Sequence, residues 1–495
     1  MKKILLKVLM MNNLLICQGL SISRNQKLLI DNANFAISKG EVVWLAGASG
    51  SGKTSLIEAI AGKLYCTGLL KLNWAESQFL AKVSYVEQFS QFKDKQGMCD
   101  FYYQQRFNSY DAEMTITVKE ELANLLADDG IKINLELLIE LFNFTNKLNS
   151  SLLHLSSGER KKLQLIKVLA NPTQLIILDN PLTGLDKSSM AKLADYISNL
   201  SRLGITFIII DRLNYVFNEC KNILFINTDK QIIKCTKIAY LANYPQAVGH
   251  DESAPIDFTL AELKTEYNNI VKFTNVTIKY ASKQILSQIN WQIRQGEKWL
   301  LEGENGAGKS TILSLITGDN PQAYANDICL FDIKRGSGET IWDIKSKIGY
   351  ISPELQWNFA KNLTCLEVVL TGYFDTPGLY NNAKPFQINY AQQVLAQVNL
   401  TEYAQQNYIA VANGIQRSIL LVRALIKNPP LLIFDEPCQG MSESQSRFFV
   451  QLIDKLFMKS NHTIIYVTHR LDEMPKCLMK RLTITNGQII KNEDI

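Results

Sequence analysis

Two glycine-rich runs of one pattern stand 256 residues apart in this chain of 495. They are Gly47-Ala48-Ser49-Gly50-Ser51-Gly52-Lys53-Thr54 and Gly303-Glu304-Asn305-Gly306-Ala307-Gly308-Lys309-Ser310 (303 − 47 = 256). The same interval separates the apolar runs Leu-Ile-Ile-Leu-Asp179 and Leu-Leu-Ile-Phe-Asp435, and the turns Lys39-Gly40-Glu41 and Gln295-Gly296-Glu297. One match is chance, but three in one register mean a tandem duplication. The expected organisation is a first domain over 1–240, a linker over 241–268 marked by Pro245, Gly249 and Pro255, and a second domain over 269–495.

Each half has the same coarse order. An apolar strand (Val42 to Ala46, Lys298 to Glu302) runs into the glycine loop, a helix follows, and a polar, partly helical region comes next. A nearly continuous apolar strand then ends at Asp179 or Asp435, and another follows it, Thr206 to Ile210 or Thr463 to Val467. Strands apolar on both faces and alternating with helices predict an α/β fold with a mainly parallel core sheet.

Composition narrows the rest. Hydrophobic residues at 46% and charged residues at 20% exclude a disordered or fibrous chain. A net charge of +5 is too mild to predict a nucleic-acid partner. The nine cysteines are scattered with no Cys-x-x-Cys, which predicts a reducing compartment and no zinc or iron–sulfur site. No window of 18 residues is apolar enough to span a bilayer, so any membrane-spanning part is expected from a separate subunit. Met1 to Leu20 is interrupted by Lys7 and Asn12-Asn13 and reads as the lead-in to a strand rather than a signal peptide.

G-x-x-x-x-G-K-[ST] between a strand and a helix is phosphate chemistry. Gly47, Gly50, Gly52, Gly303, Gly306 and Gly308 let backbone N–H groups turn inward around phosphate oxygens, and the helix that follows aims its positive end at them. Lys53 and Lys309 reach the β- and γ-phosphates. Thr54 and Ser310 offer hydroxyls to Mg²⁺, and Asp179 and Asp435, at strand ends, complete its shell. Ser55, Asn305 and Thr311 join the ATP-binding set. Glu436 follows Asp435 and can polarise an attacking water, whereas Asn180 follows Asp179 and an amide takes no proton.

With these residues in place the chain resembles the ABC ATPases, the tandem P-loop proteins whose domains each carry a parallel core sheet and a helical subdomain. Leu155-Ser156-Ser157-Gly158-Glu159 is similar to their signature, with Ser156 and Gly158 implied as contacts to ATP. Gln88 resembles the Q-loop glutamine, Thr468-His469 the switch histidine, and Gly184-Leu185-Asp186 the D-loop. The runs Thr317-Gly318-Asp319-Asn320-Pro321-Gln322, Gly336 to Ile344 and Gly372-Tyr373-Phe374-Asp375 resemble the ModF-type tandem ATPases, a family named for molybdenum transport and also called photorepair proteins. The resemblance implies ATP hydrolysis with Mg²⁺, catalysed by Lys309, Glu436 and His469. It also implies a separate membrane-spanning transporter subunit as partner, and a cytoplasmic place on the inner face of the membrane. The rival expectation is an ATPase acting on ribosomes, DNA repair or another assembly.

In ABC ATPases two such domains pair head to tail, so the resemblance implies intramolecular pairing here, and the departures from the family pattern sort by site. The first half has Asn180 for the glutamate, Asp211 matched to His469 through Arg212-Leu213 and Arg470-Leu471, and Arg24 where Tyr280 offers a ring for adenine (24 + 256 = 280). The second half has Val411-Ala412-Asn413-Gly414-Ile415 for its signature and Ser442 in its D-loop. All of these fall on one composite site, which predicts one hydrolytic site and one that holds ATP with little or no turnover. Gln88 does not sort this way. The second half offers Pro353 in its place, with Glu354 or Gln356 as substitutes. The aromatic run Phe101 to Phe107 reads as a packed helical piece or a partner contact. His154, His250 and His462 read as structural or exposed.

Overall fold

The structure is a computed structural model and describes residues 12–24, 27–48, 50–75, 77, 79–87, 116–126, 135–152, 155, 157–182, 185, 187–211, 217, 220–243, 260–280, 283–304, 306–357, 359, 362–468 and 470–495. They form two compact units, the described residues up to 243 and those from 260. Ser49, Gln88, Phe101 to Phe107, His154, Ser156, Gly184, Asp186, Arg212, His250, Asn305 and His469 lie outside the described residues.

In the first unit β1 (Asn13–Arg24) and β2 (Lys27–Ser38) form an antiparallel hairpin, followed by β3 (Val42–Gly47) and helix α1 (Lys53–Ile60). Then come β4 (Thr67–Leu72), β5 (Leu80–Val86), α2 (Val118–Leu126), α3 (Leu135–Leu141), α4 (Ser157–Ala170), β6 (Thr173–Asp179), α5 (Lys187–Arg202), β7 (Thr206–Ile210), β8 (Asn222–Ile226), β9 (Ile232–Thr236) and α6 (Lys237–Asn243). The core sheet has the order β5-β6-β7-β3-β8-β9 and is parallel except for β9. A small antiparallel sheet, β2-β1-β4, lies to one side.

The second unit repeats this plan. Its β10 (Val271–Tyr280) and β11 (Lys283–Ile293) are a hairpin, and β12 (Lys298–Gly303) leads into α7 (Lys309–Ile316). After β13 (Asp327–Leu330), β14 (Ile333–Lys334) and α8 (Ile341–Lys345) come β15 (Ile348–Ile351) and α9 (Pro353–Trp357). A helical region follows, made of α10 (Cys365–Leu370), α11 (Pro385–Gln397) and α12 (Asn413–Leu425). The unit ends with β16 (Leu431–Asp435), α13 (Glu443–Phe457), β17 (Thr463–Val467), β18 (Lys480–Thr485) and β19 (Gln488–Asp494). The core order β15-β16-β17-β12-β18-β19 matches the first unit strand for strand.

Alternation explains the layers. On β16, Leu432 and Phe434 enter the core under the helices, while Leu431 and Ile433 enter the core under the β10–β11 hairpin and α7. On β6, Ile176 and Leu178 divide from Leu175 and Ile177 in the same way. A strand buried on both faces cannot show polar alternation, which is why these runs read as continuously apolar.

Strand register corrects one expectation. Asp179 pairs with Ile210 and Asp435 with Val467, so the equivalent of Asp211 is Thr468, not His469. The position matching His469 is therefore that of Arg212. Part of the expected linker also belongs to the second unit. Leu260 packs on its core, Asn428 donates to the Ala261 and Glu262 carbonyls, and the Tyr267 ring meets Phe331 edge-on at 5.5 Å.

The Gly372-Tyr373-Phe374-Asp375 run ties the end of α10 to α12. A Cβ at Gly372 would sit 2.3 Å from the Arg423 carbonyl oxygen, so only glycine permits this approach. Asp375 binds Lys427 at 2.6 Å, and the Arg423 Nε donates to the Thr371 hydroxyl at 2.8 Å.

Candidate nucleotide site

Each glycine loop opens directly onto a helix whose first N–H groups have no side-chain cap. Gly52 and Gly308 are the N-cap residues of α1 and α7, at φ 103° and 108° in the left-handed region. Such a helix start is an anion site, because orphan donors and the helix dipole converge there. Gly303 is equally constrained. At φ 156° a Cβ would lie 2.3 Å from the Ile484 carbonyl oxygen on β18.

The loop lysines fold onto their own loops. Lys53 donates to the carbonyls of Gly47 and Ala48, both at 2.7 Å, and Lys309 to those of Gly303 and Glu304 at 2.5 and 3.0 Å. Burial lowers the Lys53 ammonium to about 8, and the Asp179 charge opposes this. Burial likewise lowers Lys309, opposed in turn by Glu436, Asp435, Glu302 and Glu304. The loop lysine and the strand-end carboxylate therefore face one space in each unit. Thr54 and Ser310, second in their helices, are exposed, whereas the Ser55 side chain is buried and Thr311 is half-buried. Ser55, expected in the ATP-binding set, is thus a buried residue of the first turn of α1.

These donors fit Mg²⁺, which prefers hard oxygen ligands and keeps waters and substrate phosphates in its shell. Ser310 with Asp435, and Thr54 with Asp179, are the residues that would hold it. The two carboxylates differ in setting. Asp179 is buried, which pushes it up to about 6, while Lys161 and Lys53 pull it down. Asp435 is half-buried and accepts from the Tyr350 hydroxyl at 3.2 Å. Tyr85 hydrogen-bonds to Asp179 in the same way.

Residues 180 and 436 share one backbone conformation, at φ 50° and 46°. The Asn180 N–H donates to the Ile210 carbonyl at 2.7 Å, and the Glu436 N–H to the Val467 carbonyl at 3.0 Å. Asparagine tolerates the left-handed region, whereas glutamate there is uncommon and stores backbone strain. The side chains diverge. The Asn180 amide donates to the Asp179 carboxylate at 3.0 Å, whereas the Glu436 charge is felt by Lys309.

A buried cation anchors the segment before the Q-loop position in both units. Lys161 donates to the carbonyls of Glu87 and Asp179, both at 2.7 Å. Its counterpart Arg417 (161 + 256 = 417) donates to the Ser352 carbonyl at 2.9 Å and the Gln439 carbonyl at 3.2 Å. This register places Pro353 where the first half has Gln88. Gln356, expected as a substitute, is buried at 3% exposure with its amide spent on Gln416.

Gly158 is buried in the first turn of α4, and Glu159 pairs with Lys147 at 2.7 Å. In the second unit Ser442 caps α13 through a reciprocal bond with Gln445, and Gln445 packs against Gly414 so closely that a Cβ there would lie 2.4 Å from its amide. Tyr280 ends β10 as Arg24 ends β1, each in the last pair of its hairpin. Tyr280 is 42% exposed, whereas Arg24 pairs with Glu58 of α1 at 3.2 Å.

The sequence reading missed Tyr85, Tyr350, Lys161 and Arg417. The tyrosines stand 265 residues apart, nine more than the repeat interval (265 − 256 = 9), because the second half is longer between the glycine loop and β15. Lys161 and Arg417 do keep the 256 interval, and their shared charge was the available signal.

The chain matches the ABC transporter family over residues 30–183 and again over 286–439. It is 32% identical to the ABC transporter ATP-binding protein ModF of Escherichia coli K12, covering 95% of this chain and 96% of that one. It is 28% identical to an uncharacterised ABC transporter ATP-binding protein of Schizosaccharomyces pombe, covering 93% and 96%. Among solved structures it is similar to a model of ribosome-bound archaeal Pelota and ABCE1, with a TM-score of 0.61 at 16% identity, covering 96% of this chain and 78% of that one. That likeness is one of fold. With both cassettes matched and their loops, strand order and strand-end carboxylates in register, the chain belongs to the ABC transporter family of ATP-binding proteins.

Proposed function

We propose that the chain is an Mg²⁺-dependent ATP hydrolase with one working site and one holding site, and that it drives a transporter as its energy-coupling subunit. Glu436 carries the reading. It is a carboxylate held at positive φ just past Asp435, where the first half has an amide folded onto Asp179.

The loop N–H groups and Lys309 bind the phosphates of ATP. Ser310 and Asp435 would hold Mg²⁺, which would supply neutralisation of the phosphate charge. Glu436 orients and polarises the attacking water, and His469 senses the γ-phosphate. Tyr280 offers its ring to adenine. Ser156, Gly158 and Asp186 of the signature and D-loop runs are the further nucleotide contacts of this reading, and Lys53, Thr54, Ser55, Asp179 and Gln88 are the residues that hold a second ATP. Removing a general base costs roughly a hundredfold or more. Glu436→Gln is therefore expected to abolish steady-state ATPase activity, and Asn180→Asp to change it less than about twofold. Comparable losses in both variants would sink the asymmetric reading.

The transport role rests on similarity to the ABC transporter ATP-binding protein ModF of Escherichia coli. Among the described residues no helix is long and apolar enough to cross a membrane, so the membrane part would come from a partner subunit. Pull-down from solubilised membranes is expected to recover that partner. An ATP-dependent, RNA-sensitive shift in sedimentation with ribosomes would instead favour action on an assembly. Molybdate as cargo is the family's label, and uptake measurements in a deletion strain would test it.

A further inference from the structure

Between its loop helix and the next strand the second unit carries a longer segment than the first, 317–326 against 61–66, and its bonds converge on Tyr280. Residues 317–326 run from the end of α7 into a short 3-10 turn, Pro321–Ala325. Asn320 has no exposed surface. Its amide donates to the Tyr280 hydroxyl at 2.8 Å and to the Ser314 hydroxyl of α7 at 3.3 Å, and its side-chain oxygen accepts from the Gln322 N–H at 3.0 Å. Gln322 grips the residue before the ring from both sides. It accepts from the Lys279 N–H at 3.3 Å and donates to the Lys279 carbonyl at 2.8 Å. Asn326 adds a third hold on β10, accepting from the Thr277 N–H at 2.9 Å. Three amide side chains thus fasten the tip of one strand.

The fastening runs to the phosphate loop. Ser314 lies on the helix that Gly308 starts, and the Ser314 carbonyl accepts the N–H groups of both Asp319 and Asn320 at 3.0 and 3.1 Å. On the opposite side, β11 passes against Gly308, whose absent Cβ would meet Leu286 at 2.6 Å. The hairpin tip and the loop therefore share a frame. An aromatic side chain 42% exposed would ordinarily sample several rotamers, and ordering it on ligand binding costs affinity.

We infer that Asn320 and Gln322 are positioning residues that pre-set the Tyr280 ring relative to the phosphate loop, making the second unit the one with a fixed platform for a nucleobase. This inference rests on the reading of Tyr280 as the adenine contact. Among its described residues the first unit has neither the ring nor the asparagine that holds it. Arg24 replaces the ring and turns to Glu58, Leu64 stands at the interval from Asn320 (64 + 256 = 320), and the chain passes within three residues into β4. Base recognition is accordingly predicted to be strong in the second unit and weak in the first, where phosphate contacts dominate.

The test uses the full chain carrying Lys53→Ala to weaken binding at the first loop. It compares a non-hydrolysable ATP analogue with inorganic tripolyphosphate, which has phosphates and no base. Asn320→Leu imports the first half's residue, and Tyr280→Phe keeps the ring while removing the hydroxyl that Asn320 holds. Both are expected to weaken the ATP analogue by roughly threefold to tenfold, the scale of one net hydrogen bond, and to leave tripolyphosphate affinity unchanged. Tyr280→Ala is expected to lose more for the analogue and nothing for tripolyphosphate. If Tyr280→Ala binds both probes as the parent does, the adenine reading itself fails. If only Tyr280→Ala is impaired, that reading stands and the positioning role is overturned. Equal loss of both probes in Asn320→Leu would reduce the segment to a general support of the loop and would also overturn it.

Discussion

Tyr350 and Asp435 show how much one side chain can decide. The Tyr350 hydroxyl donates to one carboxylate oxygen at 3.2 Å, which restrains the orientation of a carboxylate that would hold Mg²⁺. Tyr350→Phe removes that restraint without creating a cavity. ATPase titrations against Mg²⁺ are expected to show the half-saturating metal concentration shifted by about threefold or more, at the scale of one net hydrogen bond to a charged group. An unchanged Mg²⁺ dependence would leave Tyr350 a packing residue. His462 acts on stability instead. It is 2% exposed, its Nε2 meets the Asn428 side-chain oxygen at 2.9 Å, and burial, with the Lys298 charge second, pushes it down to about 4. The unfolded histidine titrates near 6.5, so between about pH 6.5 and 4 the unfolded state binds the extra proton and stability falls as pH falls. At pH 5 the loss is about 2 kcal/mol. The unfolding transition of the second unit is expected to fall with this slope, and His462→Asn to flatten it.

At the scale of elements, the loop between β12 and α7 is fixed by what lies behind it. Gly303 meets the Ile484 carbonyl of β18, so Gly303→Ala introduces a backbone clash and left-handed strain together, about 1–3 kcal/mol. The expected result is loss of ATP binding at the second loop by more than tenfold while binding at the first loop persists, read by calorimetry as a drop from two sites to one. Retention of both sites would show that β18 yields. The element scale also explains the misplaced switch position. The Arg212-Leu213 and Arg470-Leu471 pairs suggested one alignment, but the ladder between β6 and β7 is a hydrogen-bonding constraint and moves the match by one residue. Local similarity in a loop carries no such constraint. Asp211 has its own task there, accepting the Leu182 N–H at 3.0 Å.

For the whole molecule, the proposal of one working and one holding site predicts a stoichiometry. With Mg²⁺ and ATP trapped by a phosphate mimic, the chain is expected to hold two nucleotides per polypeptide, of which one is hydrolysed. Lys309→Ala should abolish turnover, while Lys53→Ala should lower nucleotide occupancy and leave a measurable rate. Chromatography of nucleotides released from the denatured complex reads this directly, and two ADP per chain would refute it.

The glycine loops, the strand-end aspartates, the repeat interval and the contrast of Glu436 with Asn180 were all readable from the chain itself. Each depends on residues close in sequence, where backbone conformation and hydrogen-bonding chemistry are local. The Tyr350–Asp435 bond joins positions 85 apart, and the hold of Asn320 on Tyr280 joins positions 40 apart. Lys161 reaches Glu87 across 74 residues, and Gln356 turns inward to Gln416 across 60. No periodicity announces such pairs, because which strand lies beside which is set by packing of the core rather than by neighbours in the chain. The sequence determined which chemistry is present and that it occurs twice. Only the tertiary structure decided which side chains hold that chemistry in place, since those contacts exist only once distant strands are brought into register.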